Sequence, residues 1–178
     1  ELTFAQPGVN ENGGVFCHAN TWAIIAECML GNNNEAYKIY KELIPHNIVK
    51  KFGVEKYNAE PYIYSSNIRA PMALDAGQAG VSWLSGTASW MMIALEEYIF
   101  GVKPCYKGLK IKPCIPDEWK KAVIKRRFRG CEYTIEIDNS AGCGNSVKEI
   151  LINGKKFDGE YILSSAPTAS VKVIMCKK

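Results

Sequence analysis

The hydrophobic period of this chain changes once, near Tyr106, and that change limits the folds open to it. Before Tyr106 apolar residues recur at helical spacing. Trp22, Ile25 and Met29 mark a first helix that runs to Gly31, a residue suited to the position just past a helix end. Asn34 is placed to cap a second helix, with Tyr37, Tyr40, Leu43 and Ile44 on one face and Pro45 to stop it. Trp90, Ala94, Leu95 and Tyr98 predict a third helix ending near Gly101. Between the second and third lies a segment, 47–84, with Pro61, Pro71, Gly77, Gly80 and little periodicity. A loop of that length in a compact domain is expected to be functional. Beyond Tyr106 the pattern alternates, as strands do. Leu109 and Ile111, then Val123, Ile124 and Phe128, then Tyr133, Ile135 and Ile137, then Val147, Ile150 and Ile152, then Val171, Val173 and Met175 each mark one. Asn153-Gly154 is a hairpin turn signal.

Three helices cannot bury all their apolar faces on one another. The helical part therefore reads as a piece of something larger. Glu1-Leu2-Thr3-Phe4, with no Met before it, reads as the middle of a longer chain. The expected division is 1–105, helical, and 106–178, a small antiparallel sandwich. At 47% hydrophobic and 22% charged residues the chain has a globular composition rather than a disordered one. Much of the net charge of +4 comes from Lys120-Lys121 and Lys125-Arg126-Arg127-Phe128-Arg129. One short basic run without stacking aromatics is expected to be a strand with charged outward residues, Val123 and Phe128 being among the inward ones. No nucleic-acid partner is expected. Nor is a membrane span, because Glu27, Glu96 and Glu97 interrupt the apolar stretches. No leader pattern opens the chain. Seven cysteines without a C-x-x-C pair, with Cys17, Cys28 and Cys176 in apolar surroundings, suggest small buried hydrophobes in a reducing, cytoplasmic setting. His18 and His46 have no partner at ligand spacing, so no metal and no cofactor are expected.

Two segments share a loop-into-helix grammar. One is Val81-Ser82-Trp83-Leu84-Ser85-Gly86-Thr87-Ala88-Ser89-Trp90 and the other runs from Asn10-Glu11-Asn12-Gly13-Gly14 to His18 and Trp22. A helix start presents unpaired N–H groups, and glycine lets a ligand approach the backbone, which together suit an anion. Taken alone, Ser85-Gly86-Thr87 before a helix is more often a plain helix cap.

With Glu60-Pro61-Tyr62-Ile63-Tyr64 between them and Gly108-Leu109-Lys110-Ile111-Lys112-Pro113-Cys114-Ile115-Pro116 after them, these segments resemble the C-terminal portion of the glycoside hydrolase family 94 disaccharide phosphorylases. The resemblance runs from about Pro7 to about Asp138. It implies the last helices of an (α/α)6 barrel followed by a small jelly-roll-like β-sandwich, an α+β chain. It also implies an activity: inverting cleavage of a β-linked gluco-disaccharide by inorganic phosphate, giving α-glucose 1-phosphate. An inverting glycosidase needs an acid for the leaving oxygen and a base for water. Phosphate is already a competent nucleophile, so the protein has only to position and stabilise it.

By this resemblance His18, Ser85 and Gly86 bind phosphate, serine standing where the family has threonine. Glu11 and Asn10 fall at the acceptor sugar, as does Ser66, next to Ser65, where several relatives have glutamine. Asn10 and Ser65-Ser66 depart from the family pattern and leave the acceptor open. Arg69, in the same loop, suits an acidic acceptor such as gluconate. The family's catalytic aspartate and phosphate-binding arginine match nothing here, so no catalytic residue is assigned in this chain and it is expected to be inactive alone. Expected partners are the disaccharide, phosphate and the rest of the barrel, with a homodimer left open. Two other readings stand beside this one. The first is a non-catalytic carbohydrate-binding or interaction module, for which Trp83, Trp90 and Trp119 offer stacking surfaces. The second is a hydrolase of a related (α/α)6 family.

Overall fold

The computed structural model describes residues 5–176, so the reading of residues 1–4 as mid-chain lies outside the described residues. The chain is α+β, with helices up to Ile99 and a mixed sheet beyond it. It divides into two compact units, one running to Ala26 and taking in Lys38–Ala94, the other made of Glu27–Tyr37 and the chain from Leu95 on. No helix among the described residues is long and apolar enough to cross a membrane.

In the first unit, β1 (Val15–Phe16) pairs with β2 (Asn67–Ile68), Val15 opposite Ile68. Helix α1 (Cys17–Leu30) follows β1 without a break. Its buried positions in this unit are Cys17, Thr21 and Ile24. Trp22, which marked the helix in the sequence, is 53% exposed. The buried stripe lies on neighbouring positions, because apolar residues occur on every side of this helix and carry little phase information. Helix α2 (Asn33–Leu43) ends before Pro45, as expected, but Pro45 also begins a new helix, α3 (Pro45–Phe52). Proline is well suited to a first helical position, where its missing N–H has no intrahelical partner to lose. A short α4 (Val54–Tyr57) follows, so the supposedly aperiodic segment 47–84 opens with helix. The fully buried Tyr57 donates its hydroxyl to the Ile63 carbonyl at 3.0 Å, anchoring the loop that follows. Helix α5 (Thr87–Ile93) begins after Gly86 and passes directly into a π-helical segment, Ala94–Ile99.

The second unit is built on a five-stranded sheet in the order β5-β6-β9-β7-β8. Its strands are β5 (Lys121–Phe128), β6 (Cys131–Asp138), β7 (Val147–Ile152), β8 (Lys155–Phe157) and β9 (Thr168–Met175). The expected Asn153-Gly154 turn joins β7 to β8, both residues having positive φ (49° and 79°), with Ile152 opposite Lys155. The expected wholly antiparallel arrangement is corrected by β9, which runs parallel to β6. The reason is the connection after β8. It is long enough to carry β9 across and insert it between β6 and β7, which neighbour each other in sequence but not in the sheet. The buried face comes from alternate residues Cys131, Tyr133, Ile135 and Ile137 of β6 and Ala169, Val171, Val173 and Met175 of β9. In β5, Lys121, Val123, Lys125 and Arg127 point outward. Val123 is 52% exposed, which corrects its expected inward placement. Strand alternation puts it on the same face as the lysines, while Phe128 shares the other face with Ile124 and Arg126. Arg126 pairs there with Glu96.

A separate hairpin of β3 (Val102–Cys105) and β4 (Gly108–Ile111) is bridged at Leu109 to Ile162. Asn34 is not a cap: α2 starts one residue earlier, and Asn34 exchanges hydrogen bonds with Asp117. Buried Asn33 donates to the Ile115 carbonyl and to Asp117, both at 2.8 Å.

Candidate functional site

The candidate site lies wholly in the first unit and is set by its loops. Residues 8–14 form a tight turn in which the Gly8 N–H donates to Asn12 O and the Gly14 N–H to Asn10 O. Asn10 takes a positive φ of 47°. A Cβ on Gly14 would lie 2.6 Å from Asn10 O, so this approach needs glycine. Asn10 and Glu11 are exposed at the head of this turn, and the chain then runs through β1 into α1.

His18 lies in the first turn of α1. Its imidazole is flanked by Trp22 at 5.2 Å and Trp90 at 6.0 Å between ring centroids, and the two indoles meet edge to face. Gly86 comes against its Cε1 edge. A Cβ built on Gly86 would lie 3.1 Å from Cε1, 3.4 Å from Nδ1 and 3.5 Å from Nε2. Residues 68 apart in sequence are thus neighbours. His18 Nε2 is buried and has no hydrogen-bond partner among the described residues. An unmet buried ring nitrogen costs about 1–3 kcal/mol, so such an atom calls for an explanation. Next to Gly86 in sequence, Ser85 Oγ accepts from the Thr87 N–H at 3.1 Å and shares a short hydrogen bond with the Thr87 hydroxyl. With Thr87 as donor in that pair, the Ser85 hydrogen is free to point elsewhere.

Ser66 ties the two sides together. Its carbonyl accepts from the Cys17 N–H at 2.9 Å, next to His18, and its N–H donates to Val81 O at 2.8 Å, near the Ser85 loop. Its hydroxyl accepts from Asn67. Burial pushes the Cys17 thiol up to about 11, against a smaller opposing effect of its contact with Ser65. The thiol beside His18 is therefore neutral at ordinary pH and adds no negative charge that would repel an anion. Burial likewise raises Tyr64, to about 12.

Arg69 is held elsewhere. Its guanidinium pairs with Asp75. It lines a cavity of about 720 Å³ together with Asn20, Leu43, Ile48, Phe52 and Ile68, and none of the other candidate residues lines it. The structure thus gathers His18, Ser85, Gly86 and the Ser66 backbone, and sets Arg69 in a different wall. Two residues contribute here beyond their part in the sequence motifs: Thr87, the fully buried partner of Ser85, and Trp90, a helix marker that packs on His18. Their positions in Ser85-Gly86-Thr87-Ala88-Ser89-Trp90 were visible, but the partner on α1 was not.

The site thus sets a buried, unpartnered histidine nitrogen near a glycine at a helix start. Residues 1–101 match the model of the glycosyl hydrolase 94 superfamily catalytic domain, more than half of the chain, and the chain belongs to that superfamily. It is 35% identical to the solabiose phosphorylase of Paenibacillus borealis over 178 residues, covering 98% of this chain and 23% of that protein. It is 39% identical to the N,N'-diacetylchitobiose phosphorylase of Vibrio proteolyticus, covering 89% of this chain and 20% of the relative. The corresponding Vibrio furnissii enzyme is 35% identical, over 98% and 22%. The chain therefore spans about a fifth of the length of these curated relatives.

Proposed function

We propose that this chain is the C-terminal part of an inverting disaccharide phosphorylase, and that His18, Ser85 and Gly86 hold the attacking phosphate. The observation that carries the reading is the buried, unpartnered Nε2 of His18 beside Gly86. Phosphate supplies the missing partner. In this reading the Ser85 hydroxyl and the backbone at Gly86 add donors, and donors of this kind are most effective when held in place before the anion arrives. A phosphate oxygen attacks the anomeric carbon from the face opposite the leaving sugar. The glycosidic bond breaks, and the leaving oxygen takes its proton from a carboxylic acid elsewhere in the complete protein. A β-linkage gives an α-sugar 1-phosphate. This chain alone is then inactive.

In this reading the helical part, 1–105, completes an (α/α)6 barrel and the remainder, 106–178, is its β-sandwich. Asn10, Glu11 and Ser66 border the acceptor. Charge-assisted bonds from sugar hydroxyls to Glu11 are the strongest contacts on offer there. The donor is glucose by resemblance. The 39% identity to an N,N'-diacetylchitobiose phosphorylase favours a second donor, N-acetylglucosamine. Arg69 is already neutralised by Asp75, so an acidic acceptor would compete with that pair.

The test uses the complete protein in the synthetic direction. α-Glucose 1-phosphate and α-N-acetylglucosamine 1-phosphate are each supplied with glucose, N-acetylglucosamine, gluconate and longer β-glucans, and phosphate release is followed. Release with one donor–acceptor pair, lowered in His18→Ala by the loss of a bond to a charged ligand, about 1.5–3 kcal/mol, supports the proposal. Release unchanged in His18→Ala rejects the site, and no release with any pair rejects the activity.

A further inference from the structure

Trp83 stands two residues before Ser85 in a conformation that its own folding does not explain. Its φ is +65°, in the left-handed region that bulky side chains avoid. It is 66% exposed, so burial does little to offset that strain. Such outliers persist where the surroundings impose them, and they gather at ligand sites. The surroundings here are explicit. The indole Nε1–H donates to Glu60 Oε1 at 2.9 Å. Ser82, just before it, bridges to Ser65, and the Val81 carbonyl accepts from Ser66 N–H. Just after it come Ser85 and Gly86. The ring is thus fixed by its polar edge, while its broad apolar area is left to solvent. The hydrogen bond to Trp83 also holds the Glu60 carboxyl below the usual range, so Glu60 remains a charged acceptor under ordinary conditions.

Resting on the phosphorylase reading, we propose that Trp83 is a saccharide-binding residue whose indole face, clamped by Glu60, stacks on a sugar ring bound beside the phosphate site. A hexopyranose carries C–H groups on its ring faces, and these suit the negative face of an indole. The clamp explains why the side chain is displayed rather than folded away. A rigid platform loses little freedom on binding, which favours affinity. Two residues before Trp83, the Val81 carbonyl accepts from Ser66 N–H, and the Ser66 carbonyl accepts from Cys17 N–H, which links the platform's strand of backbone to the residue before His18.

The proposal predicts an unusual combination in the complete protein. Trp83→Gly places at φ +65° the one residue that occupies it freely. Its thermal midpoint should equal or exceed that of the natural protein, its KM for the saccharide should rise by about tenfold or more (~1.4 kcal/mol), and its phosphate KM should stay the same. Trp83→Phe keeps a ring face but loses the Glu60 bond, and should fall between the two. An unchanged saccharide KM in Trp83→Gly, or equal rises in the saccharide and phosphate KM values, would overturn the proposal. If the natural protein does not use phosphate at all, the phosphorylase reading fails separately. Trp83 is then judged by saccharide titration, using tryptophan fluorescence and ligand-observed NMR with cellobiose and N,N'-diacetylchitobiose as probes. Binding lost in Trp83→Gly would support the platform, and no binding to the natural protein, or binding equal to it in the variant, would overturn it.

Discussion

Gly86→Ala isolates the geometry of the candidate site from its stability. Gly86 has φ −75° and ψ 0°, which alanine adopts without strain. A less flexible unfolded chain would by itself favour alanine by about 0.4–1 kcal/mol, which offsets part of the contact cost at His18. The new methyl, however, would sit 3.1 Å from His18 Cε1, with both ring nitrogens within 3.5 Å. That is inside comfortable contact, so the imidazole has to move by a few tenths of an ångström. It has little room, because Trp22 and Trp90 flank it. The methyl also occupies space through which an anion would reach the backbone. Losing one charge-assisted bond costs about 1.5–3 kcal/mol, equivalent to roughly 10- to 150-fold in kcat/KM for phosphate. The assay is initial rates of phosphorolysis by the complete protein against phosphate concentration, with a thermal melt in parallel. An intact midpoint with phosphate kcat/KM reduced to that extent is expected. An unchanged kcat/KM would refute the reasoning, because the shift of His18 follows from the structure whatever the substrate.

Asn33→Ala removes donors to the buried Ile115 carbonyl and to Asp117, and should cost about 1–3 kcal/mol, read as a lower denaturant midpoint at constant slope. Asp138 is held below the ordinary carboxylate range chiefly by hydrogen bonds from Ser140, with a smaller contribution from Lys172 and Lys121. A depressed carboxyl stabilises the fold above its unfolded pKa, about 3.9, and that contribution disappears as pH falls through the folded value. Ser140→Ala should therefore destabilise at neutral pH and converge with the natural protein in acid, as measured by unfolding across pH 2–7 (a range on the order of that in which carboxylates titrate).

What the sequence made legible was local. Gly31, with φ +83°, ends α1, and Asn153-Gly154 turns β7 into β8, because each residue's own backbone preference decides the matter. Pro45 stands just past the end of α2 and also starts α3, a double role that depends on the helix that follows it. The phase of α1 was lost among its many apolar residues: Trp22 is exposed and Ile24 buried, a choice made by what packs against the helix. The parallel pairing of β6 with β9 depends on a crossover that no short pattern encodes. At the site, the motifs carry His18 and Gly86 individually, but their contact depends on folding together segments from opposite ends of the unit. The Trp83–Glu60 clamp joins two motifs that were read apart.

The most direct measurement follows bond cleavage by the complete protein with and without inorganic phosphate, using 31P and 1H NMR on cellobiose and N,N'-diacetylchitobiose. Cleavage that requires phosphate and yields an α-configured sugar 1-phosphate, lost in His18→Ala, is the predicted result. Cleavage that proceeds equally well without phosphate and releases only free sugars would contradict the account.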